Sequence, residues 1–168
     1  MQLFKSISIS TIVAIGLTLF QAPAFAQGTQ IAFGGLKHDS TLPVEITSDQ
    51  LSVDQSTGKA VFSGDVLIGQ GALRLTASTV EVIYDTQDTN EISQLIATGG
   101  VTLVNGGEAI EAQKAVYDIN AASVTLSGDV ILTQGQNALS GQRMVVDLTS
   151  GTGQIEGRVK TILQTGTQ

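Results

Sequence analysis

The chain has no cysteine, no tryptophan, two prolines and one histidine in 168 residues. Without cysteine there can be no disulfide, thiolate metal site, cysteine nucleophile or lipid-bearing N-terminal cysteine. The sole imidazole, His38, sits in a polar stretch beside two glycines and reads as a solvated loop residue, so a Ser-His-Asp set has nothing to be built around. No H-x-x-x-H pair, P-loop or dinucleotide fingerprint occurs. Glu108 and Glu111 are neighbouring carboxylates, but they fall in a strand-and-turn rhythm and read as surface. Parallel β-helix polysaccharide lyases, the nearest enzymatic rival, use longer chains and basic clefts. The expectation is no enzyme, no cofactor and no metal. Basic side chains are also scarce, 8 against 15 acidic ones for a net charge of −7, which makes nucleic acid a poor partner.

Only one long apolar run exists, and it lies at the N-terminus. Lys5 supplies a basic start, residues 7–20 are apolar, and Ala24-Phe25-Ala26 has the small-x-small form of a signal-peptidase site. The run is about 14 residues, short of the roughly 20 needed to span a bilayer. The expected organisation is a signal peptide over 1–26 cleaved after Ala26, a flexible segment over 27–42, one domain over 43–165 and a polar tail over 166–168. Export to the periplasm follows. The remaining 142 residues suit a single hydrophobic core.

What the chain does have is a phrase said more than once. Segments 46–66, 110–130 and 139–159 align without gaps over 21 residues, and 75–101 joins them with six extra residues. The copies begin at 46, 75, 110 and 139, spaced by 29, 35 and 29, a period that signals stacked structural units. Stacking them gives columns: Ile46, Leu75, Ile110 and Leu139; Phe62, Ala97, Leu126 and Ile155; Val66, Val101, Val130 and Val159; Ile68, Leu103, Leu132 and Thr161. Within each copy apolar and polar residues alternate with period two, the mark of strands with one dry face. Turn residues punctuate them at 55–59, 69–71, 105–107, 134–137 and 149–153. No amphipathic helix is legible beyond the signal peptide, so the class is all-β with an aliphatic interior.

Gly64, Gly99, Gly128 and Gly157 form an unbroken glycine column. It reads first as a bend or bulge, and second as a close backbone approach to a ligand. The valine two positions on is expected to face inward in every rung. Asp54, Asp118 and Asp147 mark strand ends, where Asx turns are the plain explanation and a calcium ladder the rival.

The segments Pro43–Asp54 and Val61–Val82 resemble the LptA proteins of the OstA-like family, which serve in periplasmic lipopolysaccharide transport. The matching elements are Pro43, Ile46, Ser48 and Asp49, then Gly64, Val66, Ile68, Gln70 and Gly71, then Ala77, Ser78 and Val80. The resemblance implies an open, V-shaped β-jellyroll with an apolar groove for lipid A acyl chains. It also implies head-to-tail self-association into a bridge from an LptC-like inner-membrane exporter component to an LptD-like outer-membrane protein. The rung pattern itself is equally compatible with a closed β-solenoid, a non-catalytic scaffold or adhesin without lipid cargo.

The inward columns then nominate the groove: Ile46, Leu51, Val53, Phe62, Val66, Ile68, Leu75, Val101, Leu103, Ile110, Leu126, Val130 and Leu132. Val44 and Ile46 at the front, with Ile162 and Leu163 at the back, are the expected assembly edges. Residues 27–41 are candidates to cap the front edge. Two departures from the family pattern stand out: a polar insertion over 84–94, read as a solvent loop, and a short C-terminal stretch after Val159, which should leave the last rung more exposed.

Overall fold

Period-two alternation, broken once per strand by a glycine corner, produces a long meander. The computed structural model describes residues 29–32, 37, 39–54, 56, 58–85 and 91–164. The expected signal peptide, His38, the 86–90 part of the insertion and the 166–168 tail lie outside them. Eleven strands follow in order: β1 (Thr29–Ala32), β2 (Glu45–Thr47), β3 (Gln50–Asp54), β4 (Lys59–Gln70), β5 (Leu73–Tyr84), β6 (Ile92–Asn105), β7 (Glu108–Asp118), β8 (Ser123–Gln134), β9 (Asn137–Asp147), β10 (Thr152–Glu156) and β11 (Lys160–Ile162). They form one sheet in the order β1-β10-β9-β8-β7-β6-β5-β4-β2, with β3 on β4 and β11 on β9.

Every pairing is antiparallel. A closed solenoid of parallel rungs is therefore not what these residues build. No pairing among the described residues joins β2 or β3 to β1, β10 or β11, so the sheet stays open.

The corner glycines fold this sheet into two leaves. Gly64, Gly99, Gly128 and Gly157 have φ of 78°, 87°, 84° and 79°. At the same places the strand register shifts, between Ser63 and Val66 on β4, Thr98 and Val101 on β6, and Ser127 and Val130 on β8. Between the corners the neighbouring strand packs hard against each glycine. A Cβ on Gly128 would lie 2.8 Å from the Cβ of Gln113, and one on Gly157 would lie 2.7 Å from that of Gln142. The bend reading of the column holds. The residue after each glycine is also left-handed: Asp65, Asp129 and Arg158 have φ of 41°, 48° and 46°, and Gly100 has 81°.

The first leaf comprises β2, β11 and the strand halves that meet in two-residue turns at Gly71, Gly106 and Gly135, all at positive φ. The second comprises β1, β3, β10 and the other halves. Three of its turns are closed by aspartates. Asp54 Oδ1 accepts from the Ser56 amide at 2.8 Å, Asp118 Oδ1 from the Ala121 amide at 2.9 Å, and Asp147 Oδ1 from the Thr149 and Ser150 amides at 2.9 Å. These are Asx-type turns.

Side chains of alternate positions from both leaves pack into one core, including Val66, Leu75, Leu103, Leu126 and Met144. Each such aliphatic chain removed from water contributes about 1.5–3 kcal/mol. Val159 departs from its column. It follows the last corner, at the back edge where no further strand covers it, and is 43% exposed.

Candidate functional site

The candidate site is the space between the leaves, and the strand register builds it row by row. In the first leaf Ile46, Ile68, Leu75, Leu103, Ile110, Leu132, Leu139 and Thr161 are successive cross-strand partners. In the second leaf Leu51, Phe62, Val80, Ala97, Ala115, Leu126, Met144 and Ile155 are likewise. Because cross-strand neighbours lie about 4.8 Å apart, each row is an unbroken apolar strip from the front edge almost to the back. Thr161 ends the first strip on a polar note.

Of the residues nominated from sequence, Val66, Ile68, Leu75, Val101, Leu103, Ile110, Leu126, Val130 and Leu132 are brought together and fully packed, none more than 4% exposed. Leaf packs on leaf at these side chains. Leu51 and Val53 behave differently. They stand on the front edge strand β3 and are 52% and 60% exposed, with Phe62, Ile46 and Val44 half-buried behind them. The apolar interior therefore reaches solvent at the front. At the back, Ile162 and Leu163 are exposed. Ile162 pairs with Ala138, out of step with the inward partner Thr161, so it belongs to the outer face of β11.

A polar seam runs along the side opposite the corners. Gln70, Asn105 and Glu108 are buried in it. The Tyr117 hydroxyl, from the second leaf, donates to Gln70 Oε1, from the first, at 2.7 Å. Gln70 Nε2 donates in turn to the carbonyls of Ser40 at 2.9 Å and Leu42 at 2.7 Å. Asn105 Nδ2 donates to the Lys37 carbonyl at 3.4 Å, and Gln134 Nε2 to Glu108 Oε1 at 2.6 Å. Burial pushes the Tyr117 hydroxyl above its ordinary pKa, against the opposing pull of its bond to Gln70, and keeps it a donor.

Sequence reasoning missed this seam. It placed Glu108 on the surface with Glu111, whereas only Glu111 is exposed. A signal was present: Gln70-Gly71, Asn105-Gly106 and Gln134-Gly135 repeat an amide side chain just before each first-leaf turn. Two of these amides donate to carbonyls of the 37–42 backbone and the third to Glu108, so the amides that the turns bury find partners.

The two ends differ in the charges they carry. The front strands carry Glu45, Asp49 and Asp54, while the back corner and β11 carry Arg158 and Lys160. Arg143 and Glu156 are paired at 3.4 Å.

An open antiparallel β-jellyroll with an aliphatic interior exposed at one end defines the class of this protein, distinct from a closed barrel or solenoid. The chain belongs to the family described as LptA/(LptD N-terminal domain) LPS transport protein, which it matches over residues 45–152. It is 26% identical over 130 residues to an uncharacterised protein of Rhizobium meliloti strain 1021, covering 74% of this chain and 70% of that one. It is 35% identical over 60 residues to the lipopolysaccharide export system protein LptH of Pseudomonas aeruginosa, covering 36% of this chain and 34% of the relative. The crystal structure of LptH, described as the LptA-homologous periplasmic component of the lipopolysaccharide transport device, superposes with a TM-score of 0.66 at 19% identity. It covers 75% of this chain and 98% of that one. That likeness shows the jellyroll fold.

Proposed function

We propose that this chain is a periplasmic lipopolysaccharide carrier. It holds lipid A acyl chains between its leaves and joins end to end in a bridge between an LptC-like component at the inner membrane and an LptD-like protein at the outer membrane. The observation that carries the reading is the pair of apolar strips across the sheet, the second of them open to solvent at Leu51, next to exposed Val53. Each methylene withdrawn from water is worth about 0.8 kcal/mol, so a lipid in transit needs uninterrupted apolar contact, and these strips supply it. The acyl chains enter where the interior is already exposed and advance by parting the leaves. End-to-end joining is supported by the edges left open at β2, β3 and β11 and by their opposite charge, with Glu45, Asp49 and Asp54 at the front and Arg158 and Lys160 at the back.

The test is photo-cross-linking to lipopolysaccharide from a photoreactive residue at Leu51, Phe62 or Leu126, with outward-facing Leu67 as control. Adducts are expected from the inward positions, strongest at Leu51, and not from Leu67. Absence of adducts from every inward position would make the protein a scaffold without lipid cargo.

A further inference from the structure

The back edge is not bare along its whole length. β11 is open, but β10 is covered by β1, which pairs with it antiparallel in the register Thr29↔Ile155, Gln30↔Gln154, Ile31↔Gly153 and Ala32↔Thr152. The N-terminal segment expected to be flexible, or to cap the front, thus contributes a strand at the opposite end. Its register has a meaning. The row ending at Ile155 begins at Leu51, and the row ending at Gly153 begins at Val53, both on β3 at the front. Were the meander continued by a second copy, its β2 would follow β11 and its β3 would follow β10, antiparallel. Leu51 of that copy would fall beside Ile155 and its Val53 beside Gly153. Thr29 and Ile31 occupy those two places, running in the same direction.

We propose that β1 is a self-cap: it holds the β10 edge in the register that β3 of a second copy would take, and must leave before copies join across the second leaf. The inference rests on the end-to-end reading above. The balance of backbone pairing favours exchange, since β1 has four residues whereas β2 and β3 together bring eight. Opposing this, β1 is tethered. The Lys37, Ser40 and Leu42 carbonyls are held by Asn105 and Gln70, and a short tether gives a strand an effective concentration in the millimolar range. The cap therefore suppresses joining in dilute protein and yields when copies are crowded or when the seam lets the 37–42 segment go.

The experiment uses the chain beginning at Gln27. Gln30→Cys with Gln154→Cys places a cysteine pair at facing positions of β1 and β10 in a protein with no other cysteine, so oxidation locks the cap. Ile31→Pro removes a backbone donor and weakens it. Self-association is measured by sedimentation velocity across a concentration series. The oxidised pair should associate at least tenfold more weakly than its reduced form, and Ile31→Pro at least tenfold more strongly than the parent chain. Equal association of oxidised, reduced and Ile31→Pro proteins overturns the cap while leaving end-to-end joining intact. If no form associates at any concentration, end-to-end joining fails and the cap with it. The disulfide comparison stands even if Ile31→Pro folds poorly.

Discussion

At the scale of single residues, the corner glycines leave no room for a side chain. Gly128 combines φ of 84° with a neighbouring Cβ only 2.8 Å from where its own would be. Gly128→Ala should cost roughly 1–2 kcal/mol for the left-handed backbone and a further 1–3 kcal/mol or so for the crowding. Gly135→Ala, at a turn with nothing within 4 Å of the added methyl, should lose only the conformational part. Urea unfolding of the two variants checks the difference, which disappears if the corner is only a flexible loop. The glycine and aspartate columns could be read in the sequence because each recurs at a fixed place in the repeat, and each residue type has a local reason to be there. The left-handed Asp65, Asp129 and Arg158 could not be read. Their conformation is imposed by the glycine before them and by the sheet, not by their own side chains.

At the scale of elements, the bond between β4 and β7 fastens the two leaves. Tyr117 is read easily as one more inward residue of its strand. That it meets Gln70 could not be foreseen, because 47 residues separate them and the contact exists only once the corners have folded leaf onto leaf. The same folding decides which inward residues are packed core and which stay open, a distinction that periodicity does not encode: Leu51 and Leu126 occupy the same row and differ only in distance from the edge. The fastening carries a pH signature. Burial raises the Tyr117 pKa above the ordinary tyrosine value of 10.0, so the folded state holds this proton more tightly than the unfolded chain does. The resulting stability is complete below pH 10 and is lost as pH rises from there through the folded-state pKa. Urea unfolding from pH 7 to 11 should show that decline in the parent protein, and Tyr117→Phe should flatten it. A parent and variant that decline in parallel would mean that Tyr117 ionises as freely as it does in the unfolded chain.

At the scale of the whole molecule, corner strands alternate with strands that slip a side chain beneath the corner: Asp49 under Gly64, Ser78 under Gly99, Gln113 under Gly128 and Gln142 under Gly157. Asp129 shows what the second corner residue does, accepting from Gln113 at 3.2 Å on one flanking strand and from Gln142 at 3.5 Å on the other. Arg158 holds the same position at the last corner, with Gln142 on one side. In an end-to-end pair, Asp49 of the next copy would come to the other. Arg158→Glu should weaken self-association about two- to fivefold, the range of a solvent-exposed ion pair, and Asp49→Lys in the partner population should restore it. Sedimentation of the mixed variants reads this directly, and failure of the swap to rescue would place the junction elsewhere. The alternation also sets a rule of parity. A strand with a corner must neighbour a strand without one, and the molecule begins with one kind and ends with the other. Two fronts or two backs cannot mate, so any row of copies has a direction. The molecule can likewise be lengthened only by whole hairpins, each adding about 10 Å of reach while leaving both ends unchanged.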